Sequence, residues 1–201
     1  MLQRIWIRIV LSLHRSNLRN SCNMKYIALL RGINVGGNNK VSMAQLKLSF
    51  EALGFENVKT YINSGNVIFD ATELSVAKLV EQCEAVIEKE FGFHVVCSVI
   101  SAKDLKSAIT HAPEWWGLDD SDKHNAIFVI APVTANEIMK TVGEAKPEYE
   151  KVEAYGSVIF WTAPFKTFGR SRYSKIVGTA AYKFVTIRNA NTARKLAELC
   201  G

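Results

Sequence analysis

Hydrophobic and polar positions change period several times along the chain, and these changes predict alternating strands and helices. Four short apolar runs in the first half have the length and composition of β-strands, at 26–30, 58–62, 65–69 and 94–100. Apolar residues recur at helical spacing after Ser42 and again over 76–87, where they would form one buried face. The first half therefore predicts the order βαββαβ.

The second half repeats this order. Its predicted helices follow Thr134, cover 171–182 and run from 189 to 200, and its predicted strands lie at 126–131, 149–155, 157–162 and 183–187. The fourth element of each half has a similar sequence, GNVIF at 65–69 and GSVIF at 156–160. We therefore predict an α+β fold in which two ferredoxin-like βαββαβ units, related by internal duplication, are followed by a C-terminal helix.

This pattern divides the chain into four predicted parts: an N-terminal extension (1–23), a first βαββαβ unit (24–100), a connector (101–122) and a second unit with the C-terminal helix (123–201). The connector opens with a short helix that Pro113 ends, and its periodicity is then lost around Trp115 and Trp116. We expect these two indole rings to pack the connector between the units rather than to stack a ligand.

Composition and charge narrow the function classes. The 201-residue chain has 48% hydrophobic residues, as ordinary soluble globular proteins do, and a net charge of +6 from 25 basic and 19 acidic residues. Four of the 25 basic residues lie in the extension, which leaves 21 against 19, or +2, for the remainder. A body so close to neutral leaves nucleic-acid binding open but does not favour it.

The cysteines and histidines show no metal-ligand spacing. The four cysteines are scattered without a C-x-x-C pair, so we expect reduced, buried thiols in a cytoplasmic protein. No apolar run approaches the roughly 20 residues that span a bilayer, so we expect no membrane partner for the body. We predict no metal and no cofactor. We assign no catalytic residue, because the histidines are isolated and no G-x-S-x-G motif is present.

A glycine-rich loop follows the first predicted strand, with the sequence RGINVGGNNKVS at 31–42. Its glycines can turn backbone N–H groups toward an anion at the start of the next helix, although they can also serve the loop geometry alone. The spacing fails the P-loop pattern, because Asn38 stands where the lysine would be, and no G-x-G-x-x-G motif exists. The loop contributes most of a predicted ligand site: Arg31, Gly32, Asn34, Gly36, Gly37 and Lys40.

A second polar concentration supplies the other predicted ligand-binding residues, Lys175, Arg188 and Asn189. Arg188 ends the last predicted strand just before a helix N-terminus, where its guanidinium could fork onto a phosphate or a carboxylate. The alternative is structural: Arg188 ties the strand to the helix, and Asn189 or Asn191 caps the helix. The two roles can coexist.

The front of the chain also carries a family resemblance. Three segments resemble the uncharacterised family known as domain of unknown function 1697. They are ALLRGINVGGNNKVSMAQL, then ALGFENVKTYINSGNVIF, and the tail GRSRYSKIVGTAAYKFVTIRNANTARKLAEL. The resemblance covers roughly 24–201 and implies a fold but no established activity. One position departs from the family pattern, since Ala190 stands where the family usually has tryptophan.

Three functions remain in competition. The favoured hypothesis is a small phosphorylated or carboxylated ligand that binds where the glycine loop meets the C-terminal basic segment. The second is an RNA-binding module, since βαββαβ is also the order of the RNA-recognition fold, although its aromatic signature is missing. The third is a structural or oligomeric interaction protein. Oligomeric state is not predicted.

The N-terminal extension also has two interpretations. Its four arginines fall within about 60° on a helical projection, which is typical of a basic amphipathic segment for a membrane surface or a targeting presequence. The second interpretation is that Met24 is the natural start. We favour it because the family resemblance begins there.

Because the apolar pattern and helix caps form a complete unit from Met24 onward, we expect residues 1–23 to pack poorly on the body. A chain that begins at Met24 should melt within a few degrees of the full chain when both are followed by circular dichroism. A loss large enough to prevent folding would show that the extension belongs to the core.

Overall fold

The computed structural model describes residues 23–36, 39–72 and 74–201. The predicted extension lies outside these residues, apart from Asn23, which begins the first strand. The first half forms β1 (Asn23–Leu30), α1 (Met43–Ala52), β2 (Glu56–Tyr61), β3 (Asn66–Thr72), α2 (Val76–Phe91) and β4 (Cys97–Ser101).

The remainder of the chain begins with a helix in the predicted connector and then adds a second set of strands. Its elements are α3 (Ala102–Thr110), β5 (Asp122–Val129), α4 (Ala135–Val142), β6 (Lys151–Tyr155), β7 (Val158–Pro164), three 3₁₀ turns (Phe165–Arg170, Tyr173–Gly178 and Ala180–Phe184), β8 (Val185–Asn189) and α5 (Ala190–Leu199).

The strands form two four-stranded sheets, with the orders β2-β3-β1-β4 and β6-β7-β5-β8. Every neighbouring pair in both sheets is antiparallel. The α+β class and the C-terminal helix α5 are therefore confirmed.

The predicted helix at 171–182 is wrong, because this stretch forms 3₁₀ turns instead of an α-helix. Hydroxyl groups compete with the backbone here. The side chains of Ser171, Ser174 and Thr179 each donate to the carbonyl three residues earlier, at 2.7 to 2.8 Å. Gly178 adds a residue of poor helix propensity at the end of the second turn.

Side-chain alternation in the strands divides the core into layers. In β1, Ala28 and Leu30 face a cluster beneath α1 and α2, whereas Ile27 and Leu29 face the opposite side. In β5, Ile127 faces a third cluster, which packs against α4 and the 3₁₀ turns. Each sheet therefore has one face covered by its own helical segments.

The other faces of the two sheets contribute to one apolar cluster, here called the central cluster. Helices α3 and α5 and the Trp116 ring complete it. Trp116 lies edge-on to Phe160 with ring centroids 4.9 Å apart, and its indole N–H donates to the Asn125 carbonyl at 2.8 Å. The members from the sheets are Ile27, Leu29, Ile68, Ile100, Ala126, Phe128, Val158 and Phe160.

The turn between β2 and β3 packs tightly against the end of β1. Gly65 has a φ of +77°, and a Cβ atom there would lie 2.6 Å from Ile33 Cδ1 and 2.8 Å from Leu30 Cβ. Its carbonyl accepts a hydrogen bond from the Leu30 N–H at 2.8 Å. Gly65 is thus required both for its left-handed conformation and for the close approach.

We expect Gly65→Ala to lower the free energy of unfolding by about 1–3 kcal/mol more than Gly92→Ala does, because only the first substitution overpacks a neighbour. Gly92 is a matched control, since its φ is +78° and a Cβ atom there would have no neighbour within 4 Å among the described residues. Urea unfolding of both variants measures the difference. Equal losses would mean that the contact with Leu30 and Ile33 is unimportant.

Candidate functional site

The loop after β1 depends on left-handed backbone conformations. Gly32 and Gly36 have φ values of +71° and +63°, and two asparagines adopt the same region, with +54° at Asn34 and +48° at Asn39. Asparagine tolerates this conformation better than other residues with a side chain. Gly37, a predicted site residue, and Asn38 lie outside the described residues.

Asn34 braces the loop from inside. Its Nδ2 donates to the carbonyls of Val41 and Asn63, both at 3.0 Å, and its Oδ1 accepts from the Val41 N–H at 2.8 Å. Both amide hydrogens are therefore used within the protein. Asn34 sets the shape of the loop and has no donor left for a ligand.

An open depression of about 410 Å³ lies where this loop meets the start of α1. Ser42 caps the helix, and its Oγ accepts from the Gln45 N–H at 3.4 Å, a long hydrogen bond. The first N–H groups of a helix have no intrahelical acceptor, so this end is electropositive. Among the residues that the structure describes, the lining includes a lysine and no carboxylate: Asn34, Lys40, Val41, Ser42, Met43 and Asn63.

Arg31 does not line the depression and contacts the second half of the chain. Its Nη1 donates to the carbonyls of Tyr182 and Val185, the second at 3.1 Å. Its guanidinium carbon lies 4.5 Å from the centroid of the Tyr182 ring, a cation–π distance. Arg31 therefore ties the end of β1 to the segment that leads into β8.

Arg188 is buried at the junction of the two sheets, with 9% of its surface exposed. All three guanidinium nitrogens donate, and the shortest contacts are Nε to Asn66 Oδ1 at 2.6 Å and Nη2 to the Leu30 carbonyl at 2.7 Å. The remaining acceptors are Thr186 Oγ1 and the carbonyls of Ser64, Gly65 and Ile187. Arg188 thus joins β8 to β1 and to the β2–β3 turn.

No carboxylate forms an ion pair with Arg188 among the residues that the structure describes. Burial lowers the pKa of this guanidinium to about 10. The side chain therefore remains protonated at neutral pH, and uncharged acceptors, most of them carbonyl groups, compensate its charge.

The structure brings Arg31 and Arg188 to the same junction, because Arg188 binds the carbonyl of the residue before Arg31. Lys175 lies elsewhere, on the second 3₁₀ turn. Asn189 caps α5, and its Oδ1 accepts from the Thr192 N–H at 2.8 Å. Among the described residues of the predicted site, Lys40 and Asn34 line the depression, whereas both arginines serve the junction.

Sequence reasoning missed the contribution of the β2–β3 turn. Asn63 lines the depression, and Asn66 is fully buried against Arg188. The sequence NSGN at 63–66 predicts a turn, but an asparagine that bonds across the fold looks the same in sequence as one that makes a turn locally.

Other polar clusters have structural roles. The buried carboxylate of Glu150 accepts from three backbone N–H groups, those of Lys146, Arg172 and Tyr173. Burial and this carboxylate raise the pKa of Tyr173 to about 12.

In the described part of the chain, no three His, Cys, Asp or Glu side chains are grouped as metal ligands would be. Over the same residues, no helix is both long and apolar enough to cross a bilayer.

Comparisons with known proteins give a family and a structural relative. A family model described as "Protein of unknown function (DUF1697)" matches residues 24–160, which confirms the family resemblance over that part of the chain. The chain is also similar to the solved structure of the conserved bacterial protein SP0830 from Streptococcus pneumoniae. They share 31% identity over 90% of this chain and 100% of that chain, with a TM-score of 0.79. No curated protein gives a significant match.

We expect Arg31→Ala to lower the free energy of unfolding by about 1.5–3 kcal/mol, because two carbonyl groups lose a charged donor. Lys40→Ala should change it by no more than about 0.5 kcal/mol, since Lys40 is exposed and makes no hydrogen bond within the described residues. Urea unfolding compares the two variants. Equal stability in both would contradict a role for Arg31 at the junction.

Proposed function

The chain belongs to the DUF1697 family and, since its description assigns no activity, we propose from geometry that the protein binds a small phosphorylated or carboxylated ligand. The proposed site is the depression beside Lys40. The observation that carries the proposal is an open depression whose described lining combines one lysine and one helix N-terminus and includes no carboxylate.

The size and the electrostatics of the depression support this proposal. Its volume of about 410 Å³ falls within the range of about 300–1,000 Å³ that is usual for small-molecule sites. An anion at a helix N-terminus is stabilised by about 0.3–1 kcal/mol, and a lysine adds its own attraction. Lys40, Ser42 and Asn63 are the side chains proposed to contact the ligand, with Gly32 and Gly36 shaping the loop.

The two arginines of the predicted site have a role different from that of Lys40. Arg31 and Arg188 use their donors on carbonyl groups at the junction. We therefore propose that the two arginines hold the backbone next to the site and do not contact the anion. Asn189 and Lys175 are left out of the proposed site, since one caps a helix and the other lies on a separate 3₁₀ turn.

Burial of the sheet faces argues against the RNA-binding alternative. The RNA-recognition fold stacks bases on aromatic residues of an open sheet face. Here Phe69 of β3 lies in the cluster beneath α1 and α2, while Ile68 belongs to the central cluster. Neither face of the first sheet offers that platform in the described residues.

We also propose that the two halves are ferredoxin-like units related by duplication, with bounds of 24–100 and 123–201 and a connector between them. The identical strand orders of the two sheets support this. The 3₁₀ turns that precede β8 would then replace the second helix of the unit.

A cytoplasmic location remains part of the proposal, supported by three buried free cysteines, Cys83, Cys97 and Cys200.

A thermal-shift screen of phosphorylated and carboxylated metabolites tests the function. A ligand at about 100 times its dissociation constant should stabilise the fold by about 2.7 kcal/mol and raise the melting temperature. Lys40→Gln should remove most of that rise. Lys103→Gln is the matched control, because Lys103 lies in the first turn of another serine-capped helix, and it should keep the rise.

Two results would refute the proposal. One is a screen in which no such compound stabilises the wild-type protein. The other is a shift that Lys40→Gln and Lys103→Gln retain equally, which would place the anion elsewhere.

A further inference from the structure

The β2–β3 turn forms one wall of the depression and is held from two sides. From the loop side, Asn34 Nδ2 donates to the Asn63 carbonyl at 3.0 Å. From the other half of the chain, Arg188 Nη2 donates to the carbonyls of Ser64 and Gly65 at 3.1 and 3.2 Å. Asn63 is therefore held by a contact from the first half, and the residues after it are held by contacts from β8.

The Asn66 amide extends the hold of Arg188 over the turn. Its Oδ1 accepts from Arg188 Nε at 2.6 Å, which directs Nδ2 away from the guanidinium. That Nδ2 donates to the Tyr61 carbonyl at 2.9 Å and to Ser64 Oγ at 3.1 Å. One buried guanidinium thus fixes the residues on both sides of Asn63.

The turn needs this support because its backbone is strained. Ile62 has a φ of +49°, and the left-handed region is unfavourable for a β-branched residue. The Ile62 side chain is also 48% exposed, so burial of its own side chain compensates little. Such a conformation persists where surrounding contacts impose it, which here are the hydrogen bonds from Asn34, Asn66 and Arg188.

We propose that Arg188 and Asn66 are positioning residues for the depression, through which the second half of the chain sets the affinity of a site built on the first half. This inference rests on the proposed function. Arg188 acts from β8 on the turn that carries Asn63, without itself reaching the ligand. Release of the guanidinium would remove the hold on Ser64 and Gly65 and leave Asn63 to its contact with Asn34.

Lysine cannot replace arginine in this role. The planar guanidinium spreads its donors over Asn66, three carbonyls of the first half and two acceptors of β8. An ammonium group concentrates its three donors at one point and leaves several of these acceptors unpaired. Arg188→Lys therefore keeps the positive charge but loses the planar arrangement of donors that reaches these acceptors.

The test uses the full chain with inorganic phosphate as the probe. Amide hydrogen exchange and NMR shifts are followed at 61–66 and at 39–43 in the wild type, Arg188→Lys and Asn66→Ala. Arg194→Lys is the matched control, because Arg194 donates to the carbonyls of Trp116 and Gly117, far from the turn in sequence and contacts. Asn66→Ala keeps the test available if Arg188→Lys folds poorly.

We expect exchange at 61–66 to accelerate about tenfold in Arg188→Lys and in Asn66→Ala, and the dissociation constant for phosphate to rise by a similar factor. Arg194→Lys should lose stability without either change. That contrast separates positioning from a general loss of stability.

Two failures have different meanings. If phosphate shifts no amide at 39–43 in the wild type, the proposed function fails, and the positioning role built on it fails too. If the wild type binds phosphate and both Arg188→Lys and Asn66→Ala bind it with unchanged affinity, the function stands and the positioning role is overturned.

Discussion

A guanidinium buried without a carboxylate is the interaction on which the rest of the described structure depends. Taking a charge out of water is unfavourable unless hydrogen bonds compensate it, and Arg188 finds its compensation in carbonyl groups from both halves of the chain. Because those carbonyls must converge, the end of β1, the β2–β3 turn and β8 are held in one arrangement. Arg31 reinforces the same junction from the opposite direction.

The glycine loop directly follows the end of β1, which is part of this junction. Leu30 gives its carbonyl to Arg188, and the loop that starts one residue later shapes the depression at α1. The basic residues that the sequence predicted to bind an anion therefore have two different environments in the structure. Arg31 and Arg188 hold backbone carbonyls at the junction, whereas Lys40 is exposed to solvent.

Periodicity predicted most of the fold because alternating faces in β1 and β5 reflect the layers directly. It failed at 171–182, where the hydroxyls of Ser171, Ser174 and Thr179 bond to nearby carbonyls, a competition that apolar spacing does not record. The site was harder to predict. The sequence indicated the loop, but the partners of Arg188 in the first half lie more than 120 residues away in the chain, and no local pattern encodes them.

The central cluster has a consequence for each half taken alone. Ile27, Leu29 and Ile68 of the first sheet are covered by helices α3 and α5 and by the second sheet. A first half released by proteolysis would present these side chains to water as a contiguous apolar patch, the kind of surface that drives self-association. In the intact chain the second sheet and both helices make that face an internal one.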